Sequence, residues 1–81
     1  MTITVRVFAM LRDAIGTDAC RLALSPGARA RQAGVELARR YPSAHRWLGV
    51  ARPALNREYC SWAAKLRDGD ELCLLPPVSG G

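Results

Sequence analysis

The sequence predicts an α+β roll, a mixed sheet with one main helix packed across it, and three observations carry that expectation. Two short runs in the first part of the chain alternate apolar and polar residues with period two, as half-buried strands do, and a short run near the other end is apolar on both faces. One stretch in the middle, Ala30 to Tyr41, changes to a helical period. The order is therefore strand, strand, helix, strands, within a chain of 81 residues that has room for one domain. A chain this short buries only about 60 to 65% of the surface its unfolded form exposes, so a single small core must hold everything.

Ile3-Thr4-Val5-Arg6-Val7-Phe8 puts Ile3, Val5 and Val7 on one face and Thr4, Arg6 and Phe8 on the other. Ala9 to Ile15 reads as a short helical or irregular turn closed by Gly16. Cys20 to Leu24 alternates again, a second strand within hairpin reach of the first, and Ser25-Pro26-Gly27 stops it. On the helix, Ala30, Ala33, Gly34, Leu37, Ala38 and Tyr41 share one side, while Arg31, Gln32, Glu36 and Arg39 face away. That buried stripe is made of small residues, so the helix packs close to what it covers. Val35 falls on the polar side without a reason in the sequence. Arg29 stands where Ser, Thr, Asp or Asn would cap the helix, a weak cap with about 1 kcal/mol at stake. Pro42 ends the element.

Residues 43–52 carry little pattern beyond one helical turn around Trp47 and Leu48. Pro53 to Asn56 can form a short strand that turns at Asn56-Arg57 and returns through Tyr59 and Cys60. Asp68-Gly69-Asp70 is a strong turn signal. Glu71-Leu72-Cys73-Leu74-Leu75 follows, apolar on both faces as in a strand at the middle of a sheet or at an interface.

Several function classes are excluded or weakened by composition. No run approaches the roughly 18 apolar residues of a membrane span. The start, Met1-Thr2-Ile3-Thr4-Val5, lacks the features of a signal peptide, so the expected location is the cytosol. Cys20, Cys60 and Cys73 are odd in number and far apart, with His45 the single histidine. They predict structural thiols rather than a disulfide framework or a zinc site. Asp68-Gly69-Asp70 resembles the opening of a calcium loop, but the later ligands are missing. The net charge is +5, and eight arginines between Arg21 and Arg57 are opposed there only by Glu36. Such an asymmetry can mark a nucleic-acid or acidic-partner surface, but the arginines are not interleaved with aromatics, which argues against nucleic acid.

After the last strand come Pro76-Pro77-Val78-Ser79-Gly80-Gly81. Two prolines hold an extended path and remove two backbone donors, so the segment cannot continue the sheet. Six residues reach roughly 20 Å. The expected organisation is a domain over residues 1–75 and an arm over 76–81 with a carboxylate at its tip.

The run from Leu66 to Gly81, with its D-G-D-E-x-x-x-x-P-P-V-S-G-G ending, resembles the C-terminal half of the molybdopterin synthase small subunit family. Val5-Arg6-Val7-Phe8-Ala9-Met10-Leu11-Arg12, Gly16-Thr17-Asp18 and Asn56 are similar to it as well, so the resemblance spans nearly the whole chain. It implies a ubiquitin-like β-grasp sulfur carrier. On that resemblance an activating enzyme of the ubiquitin-activating type uses ATP to adenylate Gly81. A sulfur donor protein then converts the adenylate to a thiocarboxylate. Gly80 is its side-chain-free neighbour, and Pro76, Pro77, Val78 and Ser79 lead the tail into the large synthase subunit. There sulfur passes to cyclic pyranopterin monophosphate to build the molybdopterin dithiolene. The chain would bind no cofactor and would not itself be a catalyst, only the sulfur-donating subunit of a two-subunit sulfurtransferase. The resemblance also implies an apolar docking patch at Phe8, Tyr59 and Leu75, with Arg6 a candidate rim contact. The alternative is that Phe8 and Leu75 fill a second small core. Rival functions are a carrier for thiazole (thiamin) synthesis or another sulfur route, and a ubiquitin-like modifier joined through Gly81 to other proteins. A basic nucleic-acid-binding roll is a further rival.

Overall fold

The computed structural model describes residues 1–77. In chain order the elements are β1 (Thr2–Val7), α1 (Ala9–Ile15), β2 (Ala19–Ala23) and α2 (Ala30–Arg40). A 3-10 turn (Pro42–Ala44), α3 (His45–Leu48), β3 (Arg52–Leu55), β4 (Glu58–Tyr59) and β5 (Glu71–Leu75) follow. The five strands form one sheet in the order β2-β1-β5-β3-β4. β1 runs parallel to β5, and every other neighbouring pair is antiparallel. The expected mixed sheet with one main helix is thus observed.

Alternation places the core. Ile3, Val5 and Val7 of β1, Leu22 of β2, and Leu72 and Leu74 of β5 are buried on one face of the sheet. Ala30, Ala33, Gly34 and Leu37 of α2 are buried as well, as the small-residue stripe requires. Ala38 and Tyr41 of that stripe are only half-buried, and the helix ends at Arg40. Gly34 lets Trp62 lie on the helix: a Cβ there would come within 3.4 Å of Trp62 Cζ3. Val35 is exposed, on the rim of a shallow groove that Gly34, Ala38, Leu48 and Trp62 also line.

Two expectations need correction. Arg29 is not a deficient cap, because the start of α2 is tied to the segment 62–64. The Ala30 and Arg31 N–H groups donate to the Ala64 and Trp62 carbonyls at 2.9 Å each. The Arg29 N–H donates to Gln32 Oε1 at 2.7 Å, and its guanidinium reaches the Ala63 carbonyl at 2.6 Å. Tertiary partners therefore satisfy donors that a capping side chain would otherwise take. Phe8, for its part, is not a strand residue. β1 stops at Val7, and Phe8 is the extended residue that precedes α1, followed by Ala9 with φ of +49°. An alanine in the left-handed region is strained by about 1 kcal/mol.

Turns fix the register. Gly16 ends α1 at φ +81°, returning its N–H to the Arg12 carbonyl at 2.9 Å. Asp68-Gly69-Asp70 is a turn whose carboxylates serve the backbone: Thr2 N–H donates to Asp68 Oδ1 and Arg67 N–H to Asp70 Oδ2, both at 2.7 Å. That use accounts for the acidic pair without calcium. Asn56 then joins this turn to the β3–β4 hairpin, donating through Nδ2 to Asp70 Oδ1 at 3.1 Å. It also accepts at Oδ1 from the Glu71 N–H at 3.0 Å.

The hairpin itself turns on Asn56 and Arg57, with φ of +49° and +73°. Two positive φ values are the signature of a tight turn whose second position suits glycine. Arg57→Gly is therefore expected to raise stability by up to about 1 kcal/mol, read as a higher urea midpoint at unchanged slope. An unchanged or lower midpoint would mean that Arg57 makes a compensating contact.

Candidate functional site

α2 covers one face of the sheet, and the other face is open. Cross-strand register states which residues share it. Arg6 stands opposite Cys73, Cys73 opposite Ala54, and Ala54 opposite Tyr59. Thr4 pairs with Glu71 on one side of that row, and Leu75 pairs with Arg52 on the other. The result is an apolar band of Ala54, Cys73, Leu75 and Tyr59 flanked by charge. Tyr59 is 65% exposed, too much for a second core. Leu75 is half-buried, on the face opposite the fully buried Leu72 and Leu74.

Phe8, 42% exposed, lies at the end of the sheet rather than in the middle of this band. It lines a small pocket with Met10, Leu11, Trp47, Val50, Ala51 and Pro76. The strained turn at Ala9 takes the chain straight from the edge of this pocket into α1. Phe8 and Tyr59 are thus not one cluster: β5 and β3 separate their strands, a span of roughly 14 Å at the usual strand spacing. Leu75 sits between them, immediately before Pro76. The sequence reading missed Val50, Met10 and Trp47 as companions of Phe8. Residues 43–52 have no periodicity from which to place them, although an exposed valine after Gly49 was a signal of sorts.

Charges on the open face are arranged rather than scattered. Arg6 Nε donates to Glu71 Oε2 at 2.8 Å. That hydrogen bond, more than the bare attraction, holds the Glu71 carboxyl below its ordinary range and raises the Arg6 guanidinium. Arg52 stacks on the Tyr59 ring, 5.6 Å from its centroid. The Cys73 thiol points at Glu71 Oε1 across 3.9 Å.

The three cysteines read as structural thiols are all free and half-buried. Cys20 and Cys60 still pack against the core, whereas Cys73 faces the open side. Burial raises all three thiols, and the neighbouring Glu71 carboxylate raises Cys73 further. Such thiols are protonated and poorly nucleophilic at neutral pH. No group of potential metal ligands exists among the described residues.

The strand that feeds the tail is the central one, held by β1 on one side and β3 on the other. Its last pairings are Val7 with Leu74 and Arg52 with Leu75. Pro76 and Pro77 are exposed and outside the sheet. Val78, Ser79, Gly80 and Gly81, singled out for the tail chemistry, lie outside the described residues.

Comparison with known proteins follows this geometry closely. Residues 5–81 match the ThiS family. The chain belongs to the ThiS family. A curated relative, the molybdopterin synthase sulfur carrier subunit of Escherichia coli K12, is 36% identical over 86 residues, covering 98% of this chain and 99% of that one. The crystal structure of the archaeal protein SAMP1 from Haloferax volcanii superposes with a TM-score of 0.88 at 27% identity, each chain covered in full (100%). A subunit in the complex of subunits 1 and 2 of the molybdopterin-converting factor from Helicobacter pylori matches with a TM-score of 0.70 at 28% identity, again covering 100% of both chains. This ThiS-family chain has the ubiquitin-like β-grasp fold of those structures. Among its described residues no helix is long and apolar enough to cross a membrane.

Proposed function

We propose that this chain is the sulfur-carrier subunit of a molybdopterin synthase, with Gly81 as the group that carries sulfur. The observation behind the reading is that three curated relatives, 32 to 36% identical and matching 98 to 100% of this chain, bear that same name. The geometry suits the role: the central strand ends at Leu75, and two exposed prolines outside the sheet follow it.

The chemistry follows from what a carboxylate lacks. It is a poor electrophile, so an activating enzyme joins it to the α-phosphorus of ATP and releases pyrophosphate. The outer sulfur of a donor-protein persulfide then attacks the acyl carbon and AMP leaves; a thiol cleaves the resulting acyl disulfide, which frees the thiocarboxylate and leaves the donor sulfur in a disulfide. Glycine suits each step, because no Cβ obstructs attack on the neighbouring carbonyl and φ is free for passage through a narrow channel. In the large synthase subunit, the tail gives its sulfur to cyclic pyranopterin monophosphate, and two such transfers complete a dithiolene. The Helicobacter pylori complex of two subunits supports a large-subunit partner for this chain. Residues 1–75 act as the folded platform and 76–81 as the arm. Phe8 and Leu75 beside the arm, with Tyr59 farther along the open face, form the docking contacts. Adenylation, sulfur transfer and delivery are all reactions of the cytosol.

A second reading is favoured by one observation, the TM-score of 0.88 to a protein named a small archaeal modifier. In that case Gly81 would end in an isopeptide bond to lysines of other proteins. Co-incubation with the activating enzyme, ATP and a sulfur donor separates the two. Intact mass is expected to show one oxygen exchanged for sulfur. Conjugates of higher mass with no such exchange would replace the carrier reading by the modifier.

A further inference from the structure

The proposed role leaves the net charge of +5 unexplained. Most acids are already engaged within the fold. Asp68 and Asp70 accept backbone N–H groups in their turn, Glu36 pairs with Arg39 and Arg40, and Glu71 pairs with Arg6. On the open face, therefore, Arg6 is compensated by Glu71, with Asp18 also near it. The β3–β4 half of that face carries more cation than anion. Among the described residues neither Arg52 nor Arg57 makes an ion pair or a side-chain hydrogen bond, and Glu71, the carboxylate that feels Arg57, is already paired with Arg6. Glu58, adjacent in sequence, pairs in register with Leu55, which packs on the core, so it shares the opposite face.

The Tyr59 ring holds one of these cations and the hairpin turn presents the other. Arg52 lies on Tyr59, which orients the guanidinium while leaving its N–H donors uncommitted. Arg57 occupies the left-handed second position of a tight turn, where glycine would be more stable. A strained charged residue at a loop tip marks a functional constraint more often than a packing need. Between and beside them lie the apolar Ala54, Cys73 and Leu75. Arginine and tyrosine around a small apolar centre are the residue types that anchor protein interfaces.

From this arrangement we infer that Arg52 and Arg57 form a cationic rim that docks the large synthase subunit through carboxylates which that subunit presents opposite the β3–β4 hairpin. The inference rests on the proposed carrier function and adds the chemistry of the partner surface. Complementary rim charge speeds encounter and fixes orientation, and salt weakens it. The apolar band supplies the salt-insensitive remainder.

The test uses the full-length chain and the purified large subunit of the same pathway, with association measured by calorimetry at low and moderate salt. Wild-type affinity is expected to fall about tenfold between roughly 50 and 300 mM salt. The double variant Arg52→Glu, Arg57→Glu is expected to bind about 30-fold more weakly at low salt and to lose that salt dependence. Arg57→Gly, which relieves the turn, controls for folding and is expected to weaken binding a few-fold. A wild-type complex that is indifferent to salt and to both variants overturns the cationic rim while leaving the carrier reading intact. No wild-type complex at all overturns both. Salt-sensitive binding of the wild type to single-stranded RNA, lost in the double variant while large-subunit binding is kept, would assign the rim to phosphates and overturn the inference.

Discussion

Replacing Gly81 by alanine is expected to slow sulfur loading by about 100-fold or more while thermal unfolding stays unchanged. The two halves of this expectation have separate causes. On the proposed chemistry the terminal carboxylate must first reach the α-phosphorus of ATP and its acyl carbon must then be attacked by the sulfur donor, and a methyl on the adjacent Cα crowds both steps. It also narrows the backbone choices of a segment that must thread a channel. A misplacement of about 1 Å at a reacting centre is enough for a loss of that size. Stability is untouched because, among the described residues, every buried apolar residue lies at or before Leu74. Gly80→Ala is expected to act in the same direction. A mass-spectrometric time course with activating enzyme, ATP and sulfur donor reads the rate directly. Wild-type rates in both variants would remove the glycines from the mechanism.

The second large effect separates two adjacent leucines. Leu74 is fully buried in the central strand, between Val7 and Pro53 in register. Leu74→Ala deletes buried carbons and leaves a cavity that a close-packed core cannot fully collapse, a loss of about 2 to 5 kcal/mol. For a domain of this size each kcal/mol lowers the unfolding midpoint by about 4 to 8 °C, so a fall of roughly 10 °C or more is expected. Leu75 points to the other face and is half-buried. Leu75→Ala is expected to lose less than about 1 kcal/mol of stability yet weaken large-subunit binding by tenfold or more. Calorimetric melting and a binding titration on the same pair of variants measure both. Equal destabilisation by the two would mean that Leu75 belongs to a core, and that the open face is not a docking surface.

Much of this architecture was legible because its signals are local. Period-two alternation located β1 and β2, and an apolar run on both faces marked β5 as a strand at the middle of a sheet or at an interface. Asp68-Gly69-Asp70 and Asn56-Arg57 were readable as turns because Gly69 and Asn56 tolerate the positive φ found there. What was hidden depends on distant partners. The parallel pairing of β1 with β5 joins the two ends of the domain and leaves no mark in either strand. The cap of α2 comes from carbonyls over thirty residues away, so Arg29 looked deficient when it is not. Phe8 looked like a strand residue, since nothing about Ala9 announces a left-handed alanine. Val35 makes sense only once Trp62 and Leu48 are seen beside it. For the site, the tail was the clearest element and the docking face the least, because register alone brings Arg52, Ala54, Cys73 and Tyr59 together.

The most direct test of the account is the position of the sulfur atom after loading. The loaded protein would be digested and the C-terminal peptide fragmented, with Cys73→Ala loaded in parallel. Sulfur on the Gly81 carbonyl, in equal yield with and without Cys73, is the predicted result, since that thiol is half-buried, protonated and aimed at a carboxylate. Sulfur found as a persulfide on Cys73, with an unmodified Gly81, would contradict it.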